Sequence, residues 1–176
     1  MLFKLLWTQW SQWSQVTAAV FLLALLAPIS VAAKPDKAPS SVAVLDSLTG
    51  GSTISQGDVV YVDFWASWCV PCKRSFPWMI GLAGKYGEKG LQVVTINLDQ
   101  DVNAARKFLK DTGASLPIVF DPSGKLAKLY DLQVMPTSFL YARDGTLRLR
   151  KEGFDPKEIE STERLIEKLL KEKPGK

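Results

Sequence analysis

Histidine is absent from the 176 residues, and cysteine occurs only twice. Without imidazole there is no Ser–His or Cys–His dyad, no His-ligated zinc or copper, and no imidazole proton shuttle. Two thiols are too few for a four-cysteine metal cage or a disulfide-stapled scaffold. Net charge is also scarce: 22 Lys and Arg against 18 Asp and Glu leave +4, and residues 34–176 hold 21 basic and 18 acidic groups. So thin a field excludes a nucleic-acid grip, despite a sequence pI near 9.0. Any chemistry must run through Cys69 and Cys72, carboxylates, backbone groups or a bound cofactor. The length suits one domain rather than two.

Charge is missing altogether from Leu5 to Ala33, 29 residues that follow Lys4. Val16–Ala33 is almost wholly apolar, and Val31-Ala32-Ala33 closes it with the small residues a signal peptidase prefers. Residues 1–33 therefore read as an export signal cleaved after Ala33. The alternative is an uncleaved membrane anchor, with Trp7, Trp10 and Trp13 at the lipid headgroups. Either way the folded part, residues 42–173 after a linker at 34–41, is expected outside the cytosol, in the periplasm.

Strand-like and helix-like segments then alternate. Strands are expected at Val42–Leu45, Val59–Trp65, Leu91–Leu98, Ile118–Phe120, Thr137–Tyr141 and Thr146–Arg150, with a turn at Thr49–Ser52. Val59–Trp65 is an apolar and aromatic run broken only by Asp63, the pattern of a strand covered on both faces. Cys69–Gly87 reads as a helix bent by Pro77 and ended by Tyr86-Gly87. Asp101 and Gly113 cap a second helix, Lys125–Tyr130 forms a third, and Asp155-Pro156 opens a last one whose face is Ile159, Leu165, Ile166, Leu169 and Leu170. Asp144-Gly145 marks a hairpin. The order predicts an α/β domain with a mixed sheet covered on two sides.

Trp68-Cys69-Val70-Pro71-Cys72 sits where a strand passes into a helix. A first cysteine at a helix N-terminus faces free N–H groups and the positive end of the helix dipole, which lower its pKa and make its thiolate a nucleophile. The second lies one turn inward, close enough to form a disulfide and buried enough to wait as a thiol. Cys69 is the attacking sulfur and Cys72 the resolving one, with exchange passing through a mixed disulfide. Trp65 is expected in the core and Trp68 as a surface lid beside Cys69; these two and Trp78 cluster near the site.

The run Val62-Asp63-Phe64-Trp65-Ala66-Ser67-Trp68-Cys69-Val70-Pro71-Cys72-Lys73, followed by Pro77 and then Met135-Pro136-Thr137, resembles the thioredoxin superfamily. Within it the chain is similar to the TlpA/ResA-like exported thiol–disulfide oxidoreductases over roughly residues 42–170. The resemblance implies a thioredoxin-like mixed central sheet flanked by helices, with a TlpA-type central αβ insertion near 101–121. It implies a cis Pro136 packed against the disulfide, with the Met135 backbone free to pair with a substrate strand, so Trp68, Val70, Pro71, Met135, Pro136 and Thr137 would bind substrate. Asp63 matches a buried acid that takes the Cys72 proton as that thiol resolves. Ser75 stands where relatives often carry a Glu, and Thr95 where thioredoxins place a lysine. No cofactor is implied beyond a redox-active Cys69–Cys72 disulfide.

The expected function is reduction of disulfides in exported proteins, with electrons from a membrane thiol carrier of the DsbD/CcdA type. Acceptors in this family include apocytochrome c thiols and assembly factors of copper oxidases. The Val-Pro dipeptide lacks the histidine with which strong oxidants stabilise a reduced thiolate, which favours a reductant. A redoxin-group peroxidase would need Pro-x-x-x-Thr-x-x-Cys, which is absent, and a DsbA-like oxidase a larger helical insertion. A thiol oxidase or isomerase of the same fold, or a non-enzymatic copper chaperone or holdase, are the alternatives.

Overall fold

The computed structural model describes Ile54 and residues 57–173. The leader, the linker, the expected strand at Val42–Leu45 and the turn at Thr49–Ser52 lie outside these residues. Among the described residues no helix is long and apolar enough to cross a membrane.

Among the described residues five strands form one sheet: β1 (Val59–Trp65), β2 (Leu91–Asn97), β3 (Ile118–Phe120), β4 (Thr137–Tyr141) and β5 (Leu147–Glu152), in the order β3-β2-β1-β4-β5. β1 to β3 run parallel, and β4 and β5 complete the sheet antiparallel. β1 is central and every one of its residues is buried, as its β-branched and aromatic composition demands. Side chains alternate across it. Val59, Tyr61 and Trp65 join Cys72, Phe76, Met79 and Leu82 of helix α1 (Val70–Tyr86) on one face, while Val60, Val62 and Phe64 meet Leu126 and Tyr130 on the other. The period of two therefore puts Asp63 on the face that α1 covers.

α2 (Val102–Thr112) follows β2, capped by the Asp101 carboxylate, which accepts from Asn103 N at 2.9 Å, and closed by Gly113 at φ 66°. Its Phe108 packs 5.0 Å from the Trp65 ring and 4.9 Å from Phe76. α2 and β3 are the central insertion; it adds an edge strand and a helix beside the start of α1. α3 (Lys125–Leu129), with Tyr130 as its cap, covers the opposite face, and α4 (Ile159–Lys171) buries Ile166 and Leu169 on the α1 side.

Boundaries of β2, β5 and α4 differ from the sequence reading, and a further turn follows α1. α1 ends at Tyr86-Gly87 as expected; Gly87 itself stays right-handed (φ −55°) and opens a separate 3-10 turn, Gly87–Lys89, after which Gly90 takes the left-handed conformation at φ 93°. A Cβ on Gly90 would lie 3.0 Å from the Arg143 guanidinium, so close packing selects this glycine. β2 ends at Asn97, and Leu98 N–H makes the last ladder bond to β1, donating to Trp65 O at 2.9 Å. β5 begins at Leu147 and extends to Glu152, because an irregularity at Leu140/Tyr141 shifts its register. Asp155 does cap, accepting from Lys157 N at 3.0 Å, but Pro156–Glu158 is a 3-10 turn and α4 starts at Ile159. Within α4, Ile159, Leu165 and Leu170 of the expected face are only half-buried.

Candidate active site

β1 ends at Trp65 and the chain turns through Ala66-Ser67-Trp68 into α1, with Cys69 N–H bonded to Ala66 O at 3.1 Å. Cys69 is the N-cap of α1: its backbone is extended (φ −78°, ψ 105°) and its Sγ accepts the Cys72 backbone N–H at 3.2 Å. Pro71 sits in the first turn, where no N–H is needed. Cys69 and Cys72 are joined as a disulfide with Cα atoms 5.3 Å apart. Cys72 is fully buried, as expected of a resolving sulfur, while Cys69 is only 5% exposed. The accessible part of the site is its flanks, Trp68 and Val70, each 65% exposed.

The Met135–Pro136 peptide is cis. Met135 packs half-buried against the cluster that holds both cysteines, and its main-chain N–H and C=O carry no hydrogen bond among the described residues. Thr137 is buried and donates its hydroxyl to Val134 O at 2.8 Å, so it shapes the loop from behind. Gly153 N–H holds Pro136 O at 2.7 Å, and Arg150 donates to the carbonyls of Tyr130 and Asp131 at 3.4 and 3.0 Å, tying this loop to β5. Val134 stands out beside it as another exposed apolar side chain.

Asp63 is 1% exposed. Ser138, its partner across the antiparallel pair, donates its hydroxyl to Oδ1 at 2.7 Å, and Oδ2 has no partner among the described residues. Burial disfavours the charged form and pushes its pKa up to about 7, against the opposing pull of the Ser138 hydrogen bond. Thr95 faces Asp63 on the parallel side, but its hydroxyl is donated to Pro117 O at 3.2 Å. Ser75 donates to the Cys72 carbonyl at 2.9 Å and contributes no acid from the helix side.

Trp65 is core and Trp68 is exposed, in line with expectation. Trp78 does not join them: nine residues along α1 from Cys69 is roughly 13 Å of helix. Its indole N–H donates to Glu163 of α4 at 3.1 Å and its ring meets Tyr61 edge-on at 5.6 Å. The sequence reading overlooked Asp99. Its carboxylate is 3% exposed and accepts from Ser67 N at 2.9 Å, Ser67 Oγ at 2.8 Å and Asn97 Nδ2 at 2.7 Å. The available signal was two polar residues, Asn97 and Asp99, at the buried end of an apolar strand.

A mixed five-stranded sheet, a Cys-x-x-Cys pair at the head of the helix after its central strand, and a cis-proline opening the antiparallel strand define the thioredoxin-like class. The Redoxin family model matches residues 33–169, and the chain belongs to this family of the thioredoxin superfamily. It is 34% identical over 103 residues to thiol-disulfide oxidoreductase ResA of Bacillus thuringiensis subsp. konkukian, covering 58% of this chain and 60% of that one. ResA of Bacillus subtilis is 32% identical over 101 residues, with 55% and 56% covered. The chain thus spans little more than half the length of these curated relatives. A Chlorobium tepidum crystal structure, provisionally named thiol:disulfide interchange protein DsbE, is 48% identical at a TM-score of 0.64, covering 65% of this chain and 82% of its own. StoA from Bacillus subtilis is 30% identical at a TM-score of 0.55, covering 62% and 83%.

Proposed function

We propose that the protein is an exported thiol–disulfide oxidoreductase that reduces disulfides of other exported proteins. The observation that carries this reading is the Cys69 sulfur at the N-cap of α1, accepting a backbone N–H and bonded to a fully buried Cys72. That position stabilises a thiolate on Cys69 over one on Cys72.

In the reduced protein, the Cys69 thiolate attacks a substrate disulfide, forming a mixed disulfide and releasing one substrate sulfur as thiolate. Cys72 then loses its proton and attacks Cys69 Sγ, which expels the second substrate thiolate and leaves the Cys69–Cys72 disulfide. The substrate gains two electrons and the protein loses two; the Cys72 proton and one proton from solvent end on the two substrate sulfurs. Asp63 lies on the sheet face that α1 covers and titrates near neutrality, so its ionised form is a base matched to taking the Cys72 proton. The Met135 backbone, unbonded among the described residues, is the edge on which an extended substrate segment pairs, and Trp68, Val70 and Pro71 contact the same segment. A membrane thiol carrier of the DsbD/CcdA type restores the dithiol, since an oxidising compartment offers no reductant of its own. Residues 1–33 act as the export signal or anchor, which places the domain in the periplasm.

Trapping tests the reading. Cys72→Ser should accumulate a mixed disulfide through Cys69 with exported cysteine-containing proteins, released by dithiothreitol. Absence of any adduct with Cys72→Ser, together with failure of the wild-type disulfide to accept electrons from a dithiol, would refute it.

A further inference from the structure

The loop that carries the nucleophile is clamped from below by a carboxylate that the exchange reaction does not use. Asp99 stands at the end of β2, two residues beyond Asn97 and two before the Asp101 cap of α2. Its Oδ2 accepts from Ser67 N (2.9 Å) and Asn97 Nδ2 (2.7 Å), its Oδ1 accepts from Ser67 Oγ (2.8 Å), and its own N–H donates to Asn97 Oδ1 at 3.1 Å. Leu98 N–H closes the same junction on Trp65 O at 2.9 Å. The β1–α1 and β2–α2 loops are thus bound side by side, and Ser67 lies two residues before Cys69. Burying a carboxylate is costly unless it is well hydrogen-bonded, and here three donors converge on it, two of them from a single loop residue. Nothing in sheet formation requires that expense at this point.

We propose that Asp99 is a positioning residue for the redox pair: by holding the Ser67 backbone and hydroxyl it fixes the turn that sets Cys69 Sγ in the N-cap of α1. The inference rests on the reading of Cys69 and Cys72 as the exchanging pair. Its physical content is that N–H groups stabilise a sulfur anion only when the sulfur is held in line with them, so a loosened turn withdraws that stabilisation. The effect is one of position rather than of charge. An amide in place of the carboxylate can keep every contact, its oxygen accepting from Ser67 N and Asn97 Nδ2 while its nitrogen donates to Ser67 Oγ.

The experiment is the pH profile of Cys69 alkylation by iodoacetamide in the reduced full-length chain, with disulfide reduction rates measured alongside. Asp99→Ala should slow alkylation at pH 6 about tenfold, the thiolate loss expected when a thiol pKa rises by one unit. Ser67→Ala, which leaves the carboxylate and its other two bonds in place, should slow it about threefold, and Asp99→Asn should stay within twofold of wild type. If Asp99→Ala loses stability but keeps the wild-type profile, the residue is only structural and the proposal fails. If Asp99→Asn is as impaired as Asp99→Ala, charge and not position is at work and it fails equally. Should Asp99→Ala not fold, Ser67→Ala carries the comparison, and an unchanged profile overturns the proposal. A wild-type Cys69 that titrates like a free cysteine instead defeats the underlying reading of the pair, a result distinct from all of these.

Discussion

Asp63 raises a problem of linkage at the scale of one residue. Its carboxyl is buried with a single hydrogen bond among the described residues, and its pKa is pushed up to about 7 in the folded chain against an ordinary 3.8. Below about pH 4 the acid is neutral in both folded and unfolded chains. Between about pH 4 and 7 the unfolded chain releases the proton while the folded chain holds it, so stability falls as pH rises through that window. Above about 7 the full cost is in place, on the order of 4 kcal/mol for a shift of this size. Asp63→Asn keeps an acceptor for Ser138 and has no charge to bury. It should therefore be a few kcal/mol more stable than wild type at pH 8, with the gap closing toward pH 4, as read by urea unfolding at each pH. The same variant should lose the pH dependence of the resolving step near neutrality. Gain of stability with loss of rate is the signature of a group retained for chemistry; an Asp63→Asn variant no more stable than wild type at pH 8 would show that the carboxyl is not buried as a neutral acid.

Between elements, the joint that matters most for the site helix is its seam with α4. Glu163 accepts from Trp78 Nε1 at 3.1 Å, Lys85 Nζ at 2.6 Å and Tyr86 Oη at 3.2 Å, and Tyr86 also reaches Glu167 at 2.8 Å. The Lys85 hydrogen bond, with Trp78 and Tyr86 adding to it, holds the Glu163 pKa below the usual carboxylate range in spite of its partial burial. Lys85 is exposed, so little of the worth lies in that ion pair; the indole and phenol donors lose more when the acceptor goes. Glu163→Ala should cost roughly 1–2 kcal/mol in urea unfolding and redshift Trp78 emission, while the Lys85→Ala change alone should cost little. Because the folded pKa is depressed, Glu163's contribution is present above its unfolded pKa and drains away as pH falls through the lower folded one. The acid limb of the stability profile should thus flatten in Glu163→Ala.

Such joints mark the limit of what the chain discloses in one dimension. β1 and β4 kept their expected bounds because their patterns are continuous and their turns carry strong residues, and Asp101 and Gly113 cap α2 because capping is a local hydrogen-bond and φ matter. The cysteine pair and the cis Pro136 were legible as a motif. The end of α1 at Tyr86-Gly87 was legible as well, but the 3-10 turn beyond it was not: left-handed Gly90 lies against the Arg143 guanidinium, which is bonded to the carbonyls of Gly57, Lys89 and Leu170. Asp99 and Ser67 are 32 positions apart. Trp78 and Glu163 are 85 apart. Polar contacts at such separations leave no period and no spacing, so neither could be read before the sheet brought them together.

At the scale of the whole molecule, the proposed function requires that the domain be exported. The family match begins at residue 33, where the uncharged run ends. Val16–Ala33 as a helix would measure about 27 Å, close to a bilayer's hydrocarbon thickness and also within the range of a signal core, so length alone does not decide between anchor and signal. The small residues Ala32 and Ala33 are those a signal peptidase prefers, and we propose cleavage after Ala33. If so, intact-mass analysis of the protein recovered from a periplasmic extract should give a chain starting at Lys34, and Ala33→Leu should block processing and leave the protein in the membrane fraction. A full-length mass confined to the membrane fraction of the wild type would instead make residues 1–33 a tether, holding Cys69 within reach of a membrane dithiol donor. A full-length mass in the soluble cytosolic fraction would defeat the exported reading, since there the thioredoxin and glutathione pools already keep thiols reduced.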